Sequence, residues 1–346
     1  MSIKQGKKYD DPASKSQIVP FIEFHKLDLS EVLLPIEEFK SFNEFFYRAL
    51  KPDARPCSAP DNPRIVVSPA DCRSVVFNRV DQATNIWVKG REFSIKRLLG
   101  ETYGREAHRY ENGALGIFRL APQDYHRFHI PVDGVMAKPE LIAGEYYTVN
   151  PMAIRSALDV YGENVRVVVP IDSPLYGRVM VICVGAMMVG STVITRTEGE
   201  EVKRAEELGY FKFGGSTLVV LLEEGKMRFD DDLTDNSNMA LETLVGPPLV
   251  FPRVSPSVPS IPLIFLPLFP LHPHSLMIKA NKEVQVRAGM SMGHAPSEPQ
   301  YKPDMRKEAS EVTEAEKREA RRRIQGNLSG QDSSEDDVVG EAPVAV

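Results

Sequence analysis

Hydrophobic and polar residues follow different patterns in three successive parts of the chain. In the first part, residues 1–60, short amphipathic stretches alternate with prolines. The stretch SEVLLPIEEFKSFNEFFYRAL (30–50) places apolar residues at helical spacing, with Ser30 as a cap and Pro35 as an interruption. We therefore predict an N-terminal helical segment over 1–60, with two helices in 30–50 that are separated at Pro35.

The second part, residues 61–245, consists of short apolar runs that are separated by Gly, Pro and Asp. The runs include RIVVSP, GALGIFRL, VRVVVP, RVMVICVGAMMVGSTVIT and STLVVLLEEG. Two short stretches, FSIKRLLG (93–100) and NPMAIRSAL (150–158), are candidates for helices. Short strands bounded by turn residues indicate a mainly antiparallel β domain, and together with the N-terminal helices they predict an α+β fold.

The third part begins at residue 246, where the composition changes abruptly. Nine prolines occupy the 31 positions of 247–277, a density that excludes a helix or a central strand. A polyproline docking segment and a disordered insertion are both compatible with this composition. We prefer a third interpretation, a retained intron over 246–284, because pyrimidine-rich codons encode Pro, Leu, Phe and Ser. Residues 295–346 are predicted to be a charged, disordered tail.

The composition narrows the class of protein. The 346 residues contain 42 Lys and Arg against 48 Asp and Glu, a net charge of −6 that argues against a general nucleic-acid binder. Cys57, Cys72 and Cys183 have neither zinc spacing nor the pattern of a disulfide framework, as expected in a reducing compartment. The N-terminus lacks a signal-peptide pattern, and the longest apolar run, 258–271, is too short and too rich in proline to span a bilayer. We expect a soluble or peripheral protein.

A glycine pair precedes the last apolar run of the second part. Gly214 and Gly215 lie directly before Ser216, and such a pair in a strand pattern marks a bulge or a backbone geometry that other residues cannot adopt. An ordinary hairpin turn explains this kind of sequence in most proteins. The chemical alternative is that the Ser216 hydroxyl attacks the carbonyl carbon of Gly215, where no side chain obstructs the approach.

Two histidines lie three residues apart in LAPQDYHRFHIP (120–131). In a helical turn this spacing would place the imidazoles of His126 and His129 on one face, whereas in an extended segment they would diverge. A zinc site is disfavoured because four ligands are not available nearby. Two interpretations remain: a pair of buried, hydrogen-bonded histidines, or one general base and one proton donor, roles that suit imidazole near neutral pH.

An aspartate follows the strand pattern of VVSPADCR (66–73). Asp71 lies two residues after Pro69, in a position where aspartate is usually a turn residue. Asp71, the histidines and Ser216 supply the residue types of a hydrolytic triad. Ser216 does not lie in a Gly-x-Ser-x-Gly nucleophile motif, however, so a hydrolase is the weaker interpretation.

Six motifs in a fixed order resemble those of the phosphatidylserine decarboxylase family. They are SFNEFFYRALKP, VSPADCR, WVKGREFSIKRLLG, LAPQDYHRFHIPVDG, YYTVNP and FGGST. The Gly-Gly-Ser-Thr sequence is similar to that of the eukaryotic non-mitochondrial members, where other members have Leu-Gly-Ser-Thr. The resemblance covers about residues 5–245 and resumes at 285–294, the end of the catalytic region. Joining residue 245 to residue 285 gives the family-like ETLVQVRAGMSMGH, which supports the retained-intron interpretation.

The resemblance implies a proenzyme that cuts itself between Gly215 and Ser216. It assigns Asp71, His129 and Ser216 to the charge relay for this cut, in which Asp71 orients His129 and His129 accepts the serine proton. Ser216 would become a covalent pyruvoyl group, which forms a Schiff base with the amine of phosphatidylserine. After carbon dioxide leaves, His126 would donate a proton, and phosphatidylethanolamine would be released without any metal or diffusible cofactor.

The resemblance also implies how such an enzyme is assembled. The cut would give a β chain of 1–215 and an α chain of 216–346, which stay associated. The family implies a barrel-sandwich hybrid core, allows a homodimer, and predicts a peripheral position on endomembranes (Golgi, endosome or vacuole). The N-terminal helices and FSIKRLLG (93–100) are candidate contacts with lipid, and ordinary core packing is the alternative for both.

Two further functions stay open at this point. A pyruvoyl-dependent amino-acid decarboxylase could use the same scaffold, because the pyruvoyl group serves any primary α-amino acid. An inactive proenzyme would instead act as an interaction protein through its proline-rich segment. Whether the chain is cut distinguishes the interaction protein from both enzymes.

Overall fold

The N-terminal segment contains three α-helices. A computed structural model gives the structure of the protein over residues 2–86, 93–149, 158–186, 191–214, 216–235, 237 and 284–304. The N-terminal helices are α1 (Ser2–Asp10), α2 (Ile18–His25) and α3 (Phe42–Phe46). Short 3-10 helices at Pro12–Gln17 and Ile36–Glu38 connect them.

The helix predicted before Pro35 is wrong. Residues 30–34 form turns, and Val32 pairs with Leu50 in an isolated antiparallel bridge. Proline disfavours helical backbone at the preceding residue, Leu34, and the β-branched Val32 suits an extended pairing. The helix predicted after Pro35 corresponds to the second 3-10 helix followed by α3.

The β-rich part contains fifteen strands among the described residues. In chain order they are β1 (Ile65–Val67), β2 (Cys72–Phe77), β3 (Ala114–Leu120), β4 (Arg127–His129), β5 (Gly134–Met136), β6 (Glu140–Ile142), β7 (Arg166–Ser173), β8 (Gly177–Gly185), β9 (Thr192–Ile194), β10 (Glu201–Val202), β11 (Glu207–Phe211), β12 (Ser216–Leu222), β13 (Arg228–Phe229), β14 (Val284–Val286) and β15 (Ser291–His294). The helices among them are α4 (Val80–Ile86), α5 (Ile95–Tyr103) and α6 (Val160–Glu163). Helix α5 confirms the prediction for FSIKRLLG, whereas NPMAIRSAL lies outside the described residues except for its last residue.

Nine strands form the main sheet. Their order is β10-β5-β7-β8-β12-β3-β2-β14, with β6 paired to β7, and every pairing is antiparallel. Two three-stranded sheets, β1-β15-β13 and β4-β11-β9, contribute residues to the hydrophobic core on one face of the main sheet. This arrangement of helices and antiparallel sheets confirms the α+β prediction.

Strand β12 lies in the middle of the main sheet and is buried over its whole length. Leu218 and Val220 pack in the core that the two small sheets cover, while Val219 and Leu221 pack in the core under α4 and α5. Because both faces of the strand are covered, its sequence is a continuous apolar run and does not alternate between apolar and polar residues.

The N-terminal helices cover the segment that enters β12. Their aromatic cluster includes Phe42 and Phe46, and both rings pack against Phe213, with centroid separations of 5.1 and 5.0 Å. The Phe213 amide also donates a hydrogen bond to Asn43 Oδ1 at 2.6 Å. The N-terminal segment therefore positions the backbone just before Ser216.

The end of the described chain returns to the sheets. Strand β14 pairs with β2, and β15 pairs with β1 and β13. Val284, the last residue of the predicted insertion, already belongs to β14, whereas 246–283 lie outside the described residues. Of the predicted tail 295–346, residues 295–304 are described and include a 3-10 helix at Lys302–Asp304, and 305–346 lie outside the described residues. None of the described helices is both long enough and apolar enough to cross a membrane.

Candidate active site

Ser216 begins the central strand of the main sheet. It pairs with Leu120 on β3 and Gly185 on β8, which places it beside the loop that leaves β3. The side chain is fully buried, and its Oγ has no hydrogen-bond partner among the described residues. Buried hydroxyls are usually hydrogen-bonded, so an unpaired one at this place suggests a chemical role.

The strands on either side of the glycine pair do not form a hairpin. Strands β11 and β12 flank it, and they belong to different sheets. Gly214 has a φ of +144°, a conformation that residues with a side chain rarely adopt. Gly215, which would supply the attacked carbonyl, lies outside the described residues.

His126 lies in the loop between β3 and β4. Its Nδ1 donates to the backbone carbonyl of Asp124 at 2.9 Å, so the neutral ring has its lone pair on Nε2. That Nε2 is buried and has no partner among the described residues. The ring packs against Phe46, with centroids 3.9 Å apart, and burial lowers the pKa of His126 to about 3. The imidazole is therefore neutral at physiological pH.

His129 ends β4 and is also neutral. Its Nδ1 donates to the backbone carbonyl of Ala205 at 2.7 Å, and its Nε2 accepts a hydrogen bond from the Tyr125 hydroxyl at 3.2 Å. Burial lowers the pKa of His129 below its ordinary value. A neutral imidazole with its lone pair on Nε2 is the form that a general base requires.

The two imidazoles diverge, as expected for an extended segment. Strand β4 begins directly after His126 and ends at His129, so the helical-turn alternative is wrong. The two rings consequently have different neighbours: Phe46 for His126, and Tyr125 for His129. Separate environments allow the two histidines to act in separate steps.

Both histidines lie near the segment that leads into β12. The His126 carbonyl accepts a hydrogen bond from the Phe211 amide at 3.0 Å, and β11 pairs with β4 along the next residues. Phe46 contacts both His126 and Phe213. The fold thus brings the histidine loop and the residues preceding Ser216 together.

Asp71 lies in the turn between β1 and β2 and is held by an arginine. Arg55 Nε donates to both carboxylate oxygens at 2.8 and 3.0 Å, and Arg55 Nη2 donates at 2.5 Å. The Ala288 amide adds a further hydrogen bond at 3.0 Å. The His129 amide donates to the Pro69 carbonyl at 2.7 Å, so β4 runs beside the turn that carries Asp71.

The connection between Asp71 and His129 is indirect. Both residues are described by the structure, and no direct hydrogen bond joins their side chains. Instead, Arg55 binds Asp71 and lies 5.9 Å from the centre of the Tyr125 ring, and Tyr125 binds His129. Burial lowers the pKa of His129, the Ala205 carbonyl and the charge of Glu207 oppose this effect, and the charge of Asp71 makes a smaller contribution in the same raising direction.

Sequence patterns missed Arg55 and Tyr125 as parts of this site. Arg55 lies far from the histidines along the chain, and only the tertiary structure shows that it holds Asp71. Tyr125 offered a signal, since it lies within the histidine motif. Asp124, its neighbour, closes the loop by accepting a hydrogen bond from the Ala121 amide at 2.7 Å, and burial raises the pKa of Asp124 to about 6.

Residues 289–293 (GMSMG) match the Gly-x-Ser-x-Gly pattern that is absent around Ser216. A nucleophile elbow requires a sharp turn from a strand into a helix. Ser291 instead begins β15, and its buried hydroxyl donates to Asp230 Oδ2 at 2.8 Å. This serine has a structural role in the described fold.

Protein stability should depend on His126 in mildly acidic solution. The pKa of about 3 lies below the ordinary value of 6.5, so the unfolded chain binds one more proton between these two values. The contribution of His126 to the unfolding free energy is complete above that window and is lost as the pH falls, at about 1.4 kcal/mol per pH unit. His126→Asn keeps a hydrogen-bond donor for the Asp124 backbone carbonyl. The substitution should remove the contribution of His126 to the slope of unfolding free energy against pH.

Urea unfolding between about pH 4 and 6 measures the slope. Ser216→Ala serves as the background for every sample, so that all chains have one covalent structure. Asp124 changes the unfolding free energy with pH in the opposite direction. This effect is present in every sample, so it cancels when the slopes are compared. His108→Asn, at an exposed histidine, is the matched control and should leave the slope unchanged. Equal slopes with and without His126 would contradict the buried, neutral imidazole.

These features define a class of protein: an α+β protein with a mainly antiparallel core, a buried serine whose hydroxyl has no partner among the described residues, and two neutral buried histidines. The sequence model of the family described as phosphatidylserine decarboxylase matches residues 42–246. This chain belongs to the phosphatidylserine decarboxylase family, which confirms the resemblance of its motifs.

Relatives in two yeasts and a bacterium are similar to this chain over most of its length. Phosphatidylserine decarboxylase proenzyme 3 of Schizosaccharomyces pombe is 58% identical over 245 residues, which are 71% of this chain and 25% of the relative. Proenzyme 2 of Komagataella phaffii is 49% identical over 302 residues, 87% of this chain and 26% of the relative. The proenzyme of Fusobacterium nucleatum is 38% identical over 240 residues, 69% of this chain and 79% of the relative. The chain thus spans about a quarter of the yeast proteins and most of the bacterial one.

Proposed function

We propose that this chain decarboxylates phosphatidylserine to phosphatidylethanolamine after cutting itself between Gly215 and Ser216. Family membership supports the reaction. The observation that supports the cut is the buried Ser216 hydroxyl, which has no hydrogen-bond partner in the part of the chain that the structure describes. The positive φ of Gly214 adds support, because it gives the backbone before Ser216 an uncommon conformation.

The cut begins with the removal of the Ser216 proton. Nε2 of His129 accepts it, and the serine oxygen attacks the carbonyl carbon of Gly215. The bond from that carbon to the Ser216 nitrogen breaks, the nitrogen takes up a proton, and an ester remains. Asp71 stabilises the positive charge on His129. Elimination then frees the Gly215 carboxylate, and hydrolysis with loss of ammonia converts the former serine into the pyruvoyl group.

A pyruvoyl group fits the start of β12. It would be made from Ser216 itself, at a buried place where no described polar group is already bonded to the side-chain oxygen. When present, the group supplies a carbonyl that withdraws electrons from the α-carbon of a bound amine as carbon dioxide leaves.

His126 is the residue that we assign to proton transfer during decarboxylation. Its Nε2 is neutral and unpaired among the described residues, so it cannot donate a proton until it has accepted one. The substrate amine arrives as an ammonium group and has to lose a proton. Nε2 can accept that proton and return it to the α-carbon, which makes His126 a proton carrier.

The two chains produced by the cut should stay associated. Strand β12 would open the α chain, yet it is hydrogen-bonded along its length to β3 and β8 of the β chain. Strands β14 and β15 of the α chain pair in the same way with β2 and β1. Separation would therefore break the main sheet in the middle. A homodimer stays a prediction.

The N-terminal segment is the proposed contact with the membrane, at a peripheral position in the endomembrane system. Val19 and Phe24 on α2 are 50% and 62% exposed, and Leu33 in the following turns is 47% exposed. The candidate contact at FSIKRLLG has less support, because three of its four apolar side chains are buried in the core: those of Ile95, Leu98 and Leu99.

Phe24→Asp should weaken binding to vesicles that contain phosphatidylserine by about 10- to 100-fold. Burying a phenylalanine side chain contributes about 1.5–3 kcal/mol, which corresponds to that factor. Cosedimentation with vesicles measures the effect. Leu141→Asp is the matched control, since Leu141 on β6 is 67% exposed. Equal weakening by both substitutions would contradict a contact made specifically by the N-terminal segment.

An assay with two substrates tests the proposed function. The purified chain is incubated with phosphatidylserine vesicles or with free L-serine, and carbon dioxide release is measured. We expect turnover of the lipid and not of serine. Comparable turnover of serine would favour the amino-acid decarboxylase, and an uncut chain without turnover would favour the interaction protein.

A further inference from the structure

Arg48 is a buried arginine that forms no ion pair with any carboxylate in the described part of the chain. It follows α3 and is only 7% exposed. Its Nη2 donates to the Gln123 carbonyl at 3.3 Å, and the guanidinium lies 5.1 Å from the centre of the Phe45 ring. Its Nη1 is buried and has no hydrogen-bond partner among the described residues. Burial lowers the pKa of Arg48 to about 10, so the group remains charged at neutral pH.

This charge lies beside the loop of the candidate catalytic histidines. Gln123 belongs to that loop, and the positive charge of Arg48 contributes to the low pKa of His126. The carboxylates of Asp124 and Asp71 act on Arg48 through their charge, while their hydrogen bonds go to other groups. The unpaired donor therefore lies beside the histidine loop, and none of the described carboxylates is bonded to it.

Arg166 shows how a structural arginine is satisfied in the same fold. It is equally buried, and its guanidinium nitrogens donate to four backbone carbonyls at 2.7–2.9 Å: those of Arg97, Leu98, Gly162 and Asn164. A buried charge is costly unless its hydrogen-bonding capacity is used. The unused donor of Arg48 is consistent with a ligand that completes it.

We propose that Arg48 binds the anionic oxygens of the substrate headgroup. This inference rests on the proposed function. A guanidinium donates in parallel to two oxygens of one anion, which both the phosphodiester and the carboxylate of phosphatidylserine can offer. Arg48 thereby holds the headgroup beside His126, and an unpaired donor in the free protein becomes paired on binding.

Two small ligands distinguish the phosphodiester from the carboxylate. Glycerophosphoethanolamine has the phosphodiester without a carboxylate, and L-serine has the carboxylate without a phosphodiester. Binding to the cut protein is measured as the ligand-induced rise in melting temperature, which requires no turnover. Arg48→Gln should weaken one of the two ligands by about 10- to 100-fold, the usual size of a lost charge-assisted hydrogen bond. If Arg48→Gln loses affinity for glycerophosphoethanolamine, Arg48 binds the phosphodiester. If it loses affinity for L-serine, Arg48 binds the carboxylate.

Two further variants separate binding from folding. Arg48→Lys keeps the charge but not the paired donors, so its affinity should lie between those of wild type and Arg48→Gln. Arg166→Gln should lower the melting temperature without changing either ligand affinity. Two results would overturn the inference. One is that Arg48→Gln binds both ligands with unchanged affinity, and the other is that it loses affinity equally for both and Arg48→Lys does not restore it.

The wild-type protein serves as the reference for the proposed function itself. If it is cut and turns over phosphatidylserine while Arg48→Gln binds both ligands normally, only the inference about Arg48 fails. If the wild-type protein is neither cut nor active, the proposed function fails, whatever Arg48 binds.

Discussion

Replacing Ser216 by alanine should leave a full-length chain with no decarboxylase activity. The substitution removes both the nucleophile of the cut and the precursor of the pyruvoyl group. The expected loss is the whole rate enhancement of the enzyme, at least about 10⁶-fold for a typical enzyme. A denaturing gel reports the cut, and headgroup conversion in phosphatidylserine vesicles reports the activity.

Three variants serve as controls for this result. Ser216→Cys and Ser216→Thr keep a nucleophile, so they can still cut but should give little or no normal pyruvoyl group. Ser291→Ala removes another buried serine hydroxyl, at a cost of about 1 kcal/mol of stability, and should be cut normally. Normal processing of Ser216→Ala would contradict the assignment of the cleavage site.

Replacing His126 by alanine should give a protein that is cut but turns over slowly. The cut needs a base at the Ser216 hydroxyl, whereas decarboxylation needs proton transfer at the substrate α-carbon. The two rings have different neighbours in this structure, so each can serve one of these places. Losing a positioned proton-transfer group costs about 10²- to 10⁴-fold in rate. His129→Ala and Asp71→Ala should instead remain uncut.

A gel and an activity assay on the same preparations separate the two histidines. An uncut His126→Ala chain would mean that His126 also supports the cut, and a cut, fully active one would remove it from the mechanism. If Asp71→Ala matures at the normal rate, Asp71 does not support His129. Asp124, whose backbone carbonyl binds His126, would be the next carboxylate to test.

The sequence predicted those parts of the fold that depend on local pattern. The apolar run at β12 predicts a strand and FSIKRLLG predicts a helix, and the structure has both. One N-terminal contact has no signal in the sequence, and one N-terminal prediction is wrong. Helix α1 has mostly polar residues and packs through Tyr9 on Phe42, a contact that no local pattern indicates. The pairing of Val32 with Leu50, across a long turn, replaces the helix expected before Pro35.

The candidate site was predicted by residue type but not by geometry. The spacing of His126 and His129 left two arrangements open, and only the pairing of β4 with β11 decides for the extended one. The partners of the site depend on tertiary contacts: Arg55 reaches Asp71 from a separate loop, and Arg48 reaches the histidine loop from the end of α3. Such contacts join residues far apart in the chain, so local periodicity carries no information about them.

The mass of the purified chain tests the central claim most directly. If the chain cuts itself at Ser216, intact mass spectrometry should show two chains, residues 1–215 and residues 216–346. The second should carry a pyruvoyl group in place of serine and resist N-terminal sequencing. A single chain of 38.7 kDa with a free N-terminus would contradict the account.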